Sequence, residues 1–233
     1  MRAHIVKAIF FEAARRVRRT PDAPPQLTGH SYKVELLAGG EVDPELGWVV
    51  DYGDMKALFE PVRRQLDHRC LDDIPALGGD TSPENIARWI GEQLRPWPAW
   101  FEGVRVSVLG EGVFAPALLP ANPFEGLPER FGFSFAAAQS LPQLPPSHPC
   151  HHLHGHTYQA EVAGADFDAL EKSLEPLHAA LHDRHINTVP GLEQATCERI
   201  CRWMWRFLEG RGARPTLVVV QETPNNRCLY LGE

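Results

Sequence analysis

The densest chemistry in the chain lies in SHPCHHLHGHTYQAEV, which begins at Ser147. His154 and His156 flank Gly155. Side chains on a strand repeat every two residues, so both imidazoles would point to one face. Two histidines on one face are a frequent start for a zinc site. Cys150 stands upstream in a loop-like stretch, where a metal or a basic neighbour could activate its thiol. The bland alternative is a polar, histidine-rich loop around a buried free cysteine. The thiol, the glycine and the H-x-H spacing together favour chemistry. His148, His151 and His152 are either solvated loop residues or sources of a further nitrogen ligand.

The elements that must hold these groups occur twice. FEAARRV from Phe11 matches FAAAQSL from Phe135, and LTGHSYKVEL from Leu27 matches LHGHTYQAEV from Leu153. LDHRCLDDIP from Leu66 matches LHDRHINTVP from Leu181, and SPENIARWI from Ser82 matches TCERICRWM from Thr196. VSVLGE from Val106 matches VVVQE from Val218. Five matched segments in one order indicate a tandem duplication. The halves are modules 1–118 and 131–233, joined by a proline-rich, semi-rigid linker at 119–130.

Each half reads strand, strand, helix, helix, strand, strand. His4 to Phe11 is apolar and β-prone, and Ser31 to Leu37 alternates as a half-buried strand does. Met55, Leu58, Phe59, Val62 and Leu66 form a helical stripe, repeated by Phe167, Leu170, Leu174, Leu177 and Leu181. Pro61 and Pro176 predict a kink or break in each. Ser82 caps a second helix running to Leu94, with Pro83 at its first position. Val104 to Leu109 and Val113 to Leu118 close the first half as a strand pair. The fold class expected is α+β, an antiparallel four-stranded sheet per module with two helices on one face. Such a sheet leaves edges exposed, and closure with other copies into a larger β-barrel would remove them.

The 233 residues are 43% hydrophobic and 23% charged, as in ordinary globular proteins. A net charge of −7 argues against a nucleic-acid partner. No apolar run is long enough for a membrane span, and the N-terminal stretch lacks a signal-peptide pattern. The five cysteines Cys70, Cys150, Cys197, Cys201 and Cys228 are odd in number and form no C-x-x-C pair, so a reduced cytoplasmic protein is expected. Cys197 and Cys201 read as small buried residues of a helix, and Trp89, Trp203 and Trp205 as core or interface. Arg15, Arg16, Arg18 and Arg19 are either a solvated basic turn or an attractor for a phosphorylated ligand.

C-x-x-x-H-G-H-x-Y, with L-D-H-x-x-L in the first half and V-x-x-E-T near the end, resembles the 6-pyruvoyltetrahydropterin synthase family. GWVVDYGDMKALFEPVRRQLDH, IPALGGDTSPENIARWI, PGLEQATCERICRWMW and VVVQETPNNRCLYLGE are most similar to its bacterial branch, the 6-carboxytetrahydropterin synthases of the queuosine (preQ0) pathway. The resemblance covers nearly the whole chain in both halves, whereas the family's usual chain has one module. It implies the T-fold, sites shared between modules, and a Zn²⁺ ion held by three histidines. It also implies a lyase acting on 7,8-dihydroneopterin triphosphate, in which a cysteine and an Asp–His couple move protons and a glutamate anchors the pterin. Zinc would polarise the side-chain oxygens of the substrate.

Carried over residue by residue, the second half retains Cys150, His154 and His156, and Glu222 matches the pterin anchor. Gln139 stands where the first zinc histidine belongs, and L-D-H becomes L-H-D at His182 and Asp183. The first half keeps Asp67 and His68, and Glu111 sits at the anchor position. It has Arg15, Thr28 and Pro24 where two zinc histidines and the cysteine belong, and only His30 remains. The losses are complementary. The expectation is a composite site with Cys150, Asp67 and His68 as catalytic groups, Glu222 and Glu111 as substrate-binding groups, and His154, His156 and Gln139 as metal ligands. The rival expectation is a pterin-binding protein that is inactive or has an altered substrate. Either would be a homo-oligomer, three chains or two, with a small-molecule pterin ligand.

Overall fold

The computed structural model describes residues 1–18, 20–109 and 127–233. Two long strands open the chain, β1 (Arg2–Val17) and β2 (Gln26–Glu41), both extending past the segments marked by apolar alternation. Then follow α1 (Tyr52–Leu66), the two-residue strand β3 (Arg69–Cys70), α2 (Pro83–Gln93) and β4 (Phe101–Val108). The second half repeats the order with β5 (Phe131–Gln139), β6 (His154–Gly164), α3 (Phe167–Leu181), β7 (Arg184–His185), α4 (Cys197–Glu209), β8 (Pro215–Thr223) and β9 (Asn226–Tyr230). The chain is thus α+β with four α-helices among the described residues. Val113 to Leu118, Glu111 and most of the 119–130 linker lie outside the described residues.

The helices form where the stripes predict. α1 buries Met55, Phe59, Val62 and Leu66, and α3 buries Leu170, Leu177 and Leu181. Neither Pro61 nor Pro176 ends its helix. Each proline deletes one N–H donor, but apolar burial on both sides of it keeps the helix running. Ser82 caps α2 by accepting the Asn85 N–H, with Pro83 at the first helical position. Thr196 does the same for α4 through the Arg199 N–H.

The chain forms two compact units. One comprises Lys7–Leu37 and Tyr52–Glu125, and its described strands run β4-β2-β1, with β3 parallel to β1 at Ala13 and Ala14. The other comprises Met1–Val6, Ala38–Asp51 and Gly126–Glu233. There the order is β9-β8-β6-β5-β7, antiparallel except that β7 pairs parallel with β5 at Ala137 and Ala138. The sheet is therefore mixed, where an antiparallel one was expected. The cause is a left-handed backbone residue after each first helix, His68 (φ 57°) and Asp183 (φ 55°). At these points the chain turns back along the first strand of its half, and His68 N–H donates to Glu12 O while Asp183 N–H donates to Ala136 O.

The duplication extends into the cores. Phe11 stacks on Tyr32 at 4.7 Å, and Phe135 stacks on Tyr158, its cross-strand partner, at 4.8 Å. All four rings are buried. Phe135→Ala should lower unfolding free energy by about 3–5 kcal/mol, read from denaturant melts, because the emptied space cannot collapse between two strands.

Candidate functional site

The β5–β6 ladder builds the site. Gln139 lies opposite His154, Ala137 opposite His156 and Phe135 opposite Tyr158. Tyr158, Ala160 and Val162 face the helices, so by strand alternation His154 and His156 share that face at the strand's open end. Their rings meet edge to face at 5.0 Å. Val220 of β8 pairs with Ala160, and two residues on the same strand carries Glu222 to this end of the sheet. Glu222 Oε1 lies 3.4 Å from His156 Nε2 and accepts a hydrogen bond from Gln139 Nε2 at 2.7 Å.

His154, His156 and Glu222 each offer one ligand atom within 4.8 Å of the others, and they are the one such group among the described residues. His154 Nδ1 donates to His152 O at 2.7 Å, which directs the Nε2 lone pair into the cluster, where Gln139 Nε2 lies 3.5 Å from it. Burial holds the His156 pKa below its ordinary value, more than the Glu222 charge raises it, so this imidazole stays neutral as a ligand must. Gln139 Oε1 is buried and has no hydrogen-bond partner among the described residues. Two imidazoles, a carboxylate and an orphaned amide oxygen fit a divalent cation of zinc's character. In this arrangement the carboxylate of Glu222 completes the cluster, and Gln139 orients it through the amide nitrogen.

Cys150 lies half-buried in a 3₁₀ turn, Pro149–His151, just before β6. Burial, then the carboxylates of Glu222 and Asp51, push its thiol pKa up. His148 Nε2 bonds Asp51 Oδ2 at 2.9 Å, and His151 Nδ1 bonds Leu144 O. Neither belongs to the cation cluster. Tyr158 Oη is buried without a hydrogen-bond partner among the described residues, and burial, then the Glu222 charge, push its pKa up. Cys197 and Cys201 are buried in α4, and Trp203 and Trp205 are half-covered.

Asp67 and His68 belong to the other unit. Asp67 Oδ1 accepts the Glu12 N–H at 3.0 Å, and Arg63 pairs with Oδ2 at 2.6 Å. That backbone bond and the guanidinium keep the carboxylate below its usual pKa. His68 Nδ1 sits 3.1 Å from Asp67 Oδ1, and the imidazole is 79% exposed over a cleft of about 530 Å³ lined by Glu12, Gly29, His30 and Cys70. The swapped pair uses the same clamp in reverse. His182 Nδ1 accepts the Ala136 N–H at 3.1 Å, and Asp183, also 79% exposed, projects instead. One half presents an imidazole, the other a carboxylate.

In the basic stretch, Arg15 donates to Thr81 O, Arg16 pairs with Asp73 and Arg18 donates to Ala23 O. Arg19 lies outside the described residues. No described helix is long and apolar enough to cross a membrane.

The family model of 6-pyruvoyl tetrahydropterin synthase matches residues 4–108 and, a second time, residues 130–233. The chain belongs to this family. It is 34% identical over 95 residues to a dihydroneopterin monophosphate aldolase of Pyrococcus furiosus, covering 41% of this chain and 77% of that protein. It is 34% identical over 116 residues to a 6-carboxy-5,6,7,8-tetrahydropterin synthase of Synechocystis sp., covering 42% of this chain and 88% of that one. Human 6-pyruvoyl tetrahydrobiopterin synthase is 38% identical over 74 residues, 30% of this chain, and the match spans 51% of the human protein. Among solved structures, the Caenorhabditis elegans 6-pyruvoyl tetrahydropterin synthase aligns with a TM-score of 0.37 at 22% identity, over 46% of this chain and 96% of that one.

Two outcomes follow from the charges. In metal-free protein Cys150 should alkylate more slowly at neutral pH than free cysteine, and Glu222→Gln should move the rate–pH profile to lower pH by removing one anion. The second concerns Glu198, which is buried and accepts the Val49 N–H. Burial raises its pKa from 4.5 to about 7. The folded state therefore holds a proton that the unfolded chain has released. Its contribution to stability is full below about pH 4.5 and is lost as pH rises through about 7. Melting temperatures should fall across that window in the wild type and less steeply in Glu198→Gln.

Proposed function

We propose that this protein is a lyase of the 6-carboxytetrahydropterin synthase kind, acting on the side chain of 7,8-dihydroneopterin triphosphate to give a 6-substituted tetrahydropterin. The observation that carries the reading is the His154–His156–Glu222 cluster beside the half-buried thiol of Cys150. His154, His156 and Glu222 would hold Zn²⁺, whose chemistry is to polarise oxygen atoms of the substrate and stabilise negative charge that develops there.

The chain's own groups do the rest. Cys150 exchanges a proton with the substrate side chain. Its thiol is held protonated by burial and two carboxylates, so a cation that neutralises Glu222 favours the thiolate. The Asp67–His68 couple supplies the second proton-transfer group. Asp67 stays ionised and orients the ring through Nδ1, leaving Nε2 to give or take the proton. His182 and Asp183 offer no equivalent, since the group they expose most is a carboxyl and the imidazole is held to the Ala136 amide. Glu222 and Glu111 are the alternative groups for the amino-pyrimidinone edge of the pterin, and where Glu222 holds the cation that role falls to Glu111. The functional assembly is proposed to be a homo-oligomer of two or three chains closing sheet edges into a barrel.

An aldolase-type cleavage of a dihydroneopterin phosphate is the second reading. It is supported by the 34% identity to the Pyrococcus furiosus protein named for that activity.

The test is turnover of dihydroneopterin mono- and triphosphate by zinc-loaded protein, with products identified by mass spectrometry. Cys150→Ala should lose at least about a hundredfold in kcat and Asp67→Asn at least about tenfold. Full activity in Asp67→Asn would remove the first half from the chemistry. Pterin binding without turnover at any metal loading would leave a binding protein.

A further inference from the structure

His148 is the N-cap of the turn that carries the thiol, and its Nδ1 accepts the Cys150 N–H at 3.1 Å. An N–H can only donate, so Nδ1 must carry the lone pair and Nε2 the proton. That proton points to Asp51 Oδ2 at 2.9 Å. Asp51 ends the segment Ala38–Asp51, which belongs to the same compact unit as Cys150 although 97 positions separate Asp51 from His148. Trp48 of that segment lies against the His148 ring at 6.0 Å between centroids. The rest of the turn is tied by His151 N–H to His148 O and by Leu141 N–H to Cys150 O.

We propose that Asp51 is a positioning residue for Cys150 and acts through His148, by fixing the tautomer and tilt of the ring that anchors the Cys150 amide. The inference rests on the reading of Cys150 as a proton-transfer group. With both ring nitrogens engaged, His148 is not itself the acceptor of the thiol proton. The arrangement is a carboxylate–imidazole–backbone relay of orientation. It stands in the half whose own acid–base couple has its imidazole turned to the Ala136 amide. Among ionisable groups, Glu222 and Asp51 are the two whose charge bears on the thiol.

A double-mutant cycle tests this. Asp51→Ser keeps an oxygen able to cap the helix that starts at Tyr52 but is too short to reach His148. Asp51→Asn still offers an amide oxygen to Nε2–H. His148→Asn keeps an acceptor for the Cys150 amide and cannot span to residue 51. The first readout is hydrogen exchange at the Cys150 amide, which needs no substrate. Asp51→Ser should speed exchange by about tenfold or more in the native background, by less than about twofold in the His148→Asn background, and Asp51→Asn should stay near wild type. The second is turnover. Asp51→Ser should lower kcat by at least about fivefold with KM within about twofold, and Asp51→Asn should recover most of it. Equal effects of Asp51→Ser in both backgrounds, in either readout, overturn the proposal. A wild-type protein without turnover removes the enzyme reading and leaves amide exchange to decide the relay.

Discussion

Antiparallel pairing of β5 with β6 puts Gln139 across from His154 and Ala137 across from His156. The cation cluster depends on that register. A slip of one residue would turn both imidazoles to the opposite face of the sheet and separate them from Glu222. The buried Phe135–Tyr158 stack two rungs further along the same ladder pins the pairing, so the aromatic core and the chemistry are set by one set of backbone hydrogen bonds. Gly155 belongs to the same constraint. A Cβ there would stand 3.2 Å from Ala137 O, a tight contact that the neighbouring strand would have to relieve by a few tenths of an ångström.

The two halves show how one backbone device can carry different side chains. In each, a strand amide clamps the second residue of the L-x-x motif and a left-handed residue follows. In the first half the clamp takes a carboxylate and the imidazole is free to work. In the second it takes the imidazole, and a carboxylate projects. The exchange of two adjacent side chains leaves the fold untouched because the amide needs only an acceptor, which aspartate and neutral histidine both provide. The chemistry at the exposed position is nonetheless different in kind, since an imidazole carries both a donor and an acceptor nitrogen and a carboxylate has only oxygens to offer.

Much of this was legible in the sequence where a short period governs the outcome. The same-face placement of His154 and His156 follows from strand alternation, and the buried stripes of α1 and α3 follow from helical spacing. Ser82 and Thr196 occupy positions whose side chains satisfy the first helical amides. Long-range register was not legible. Glu222 joins the histidines because β8 pairs with β6 in one particular alignment, and no local pattern encodes that. Gln139, expected as a metal ligand, has its amide nitrogen on Glu222 Oε1 and its buried Oε1 without a hydrogen-bond partner among the described residues. Two-residue strands such as β3 and β7 are too short to show any alternation, so the mixed sheet could not be foreseen. Asp51 had a resemblance around it and no chemical partner within reach along the chain.

The segment Ala38–Asp51 comes from the first half of the sequence but belongs structurally with the second. Besides Asp51, it offers Gly47 O to the Thr196 hydroxyl, Pro44 O to Arg199 and the Val49 amide to buried Glu198. Without that segment the later half would lose the partners of Thr196, Arg199 and buried Glu198. The compact unit is therefore larger than the stretch 130–233 that the family model matches, and that stretch expressed alone would lack three hydrogen-bond partners at the start of α4.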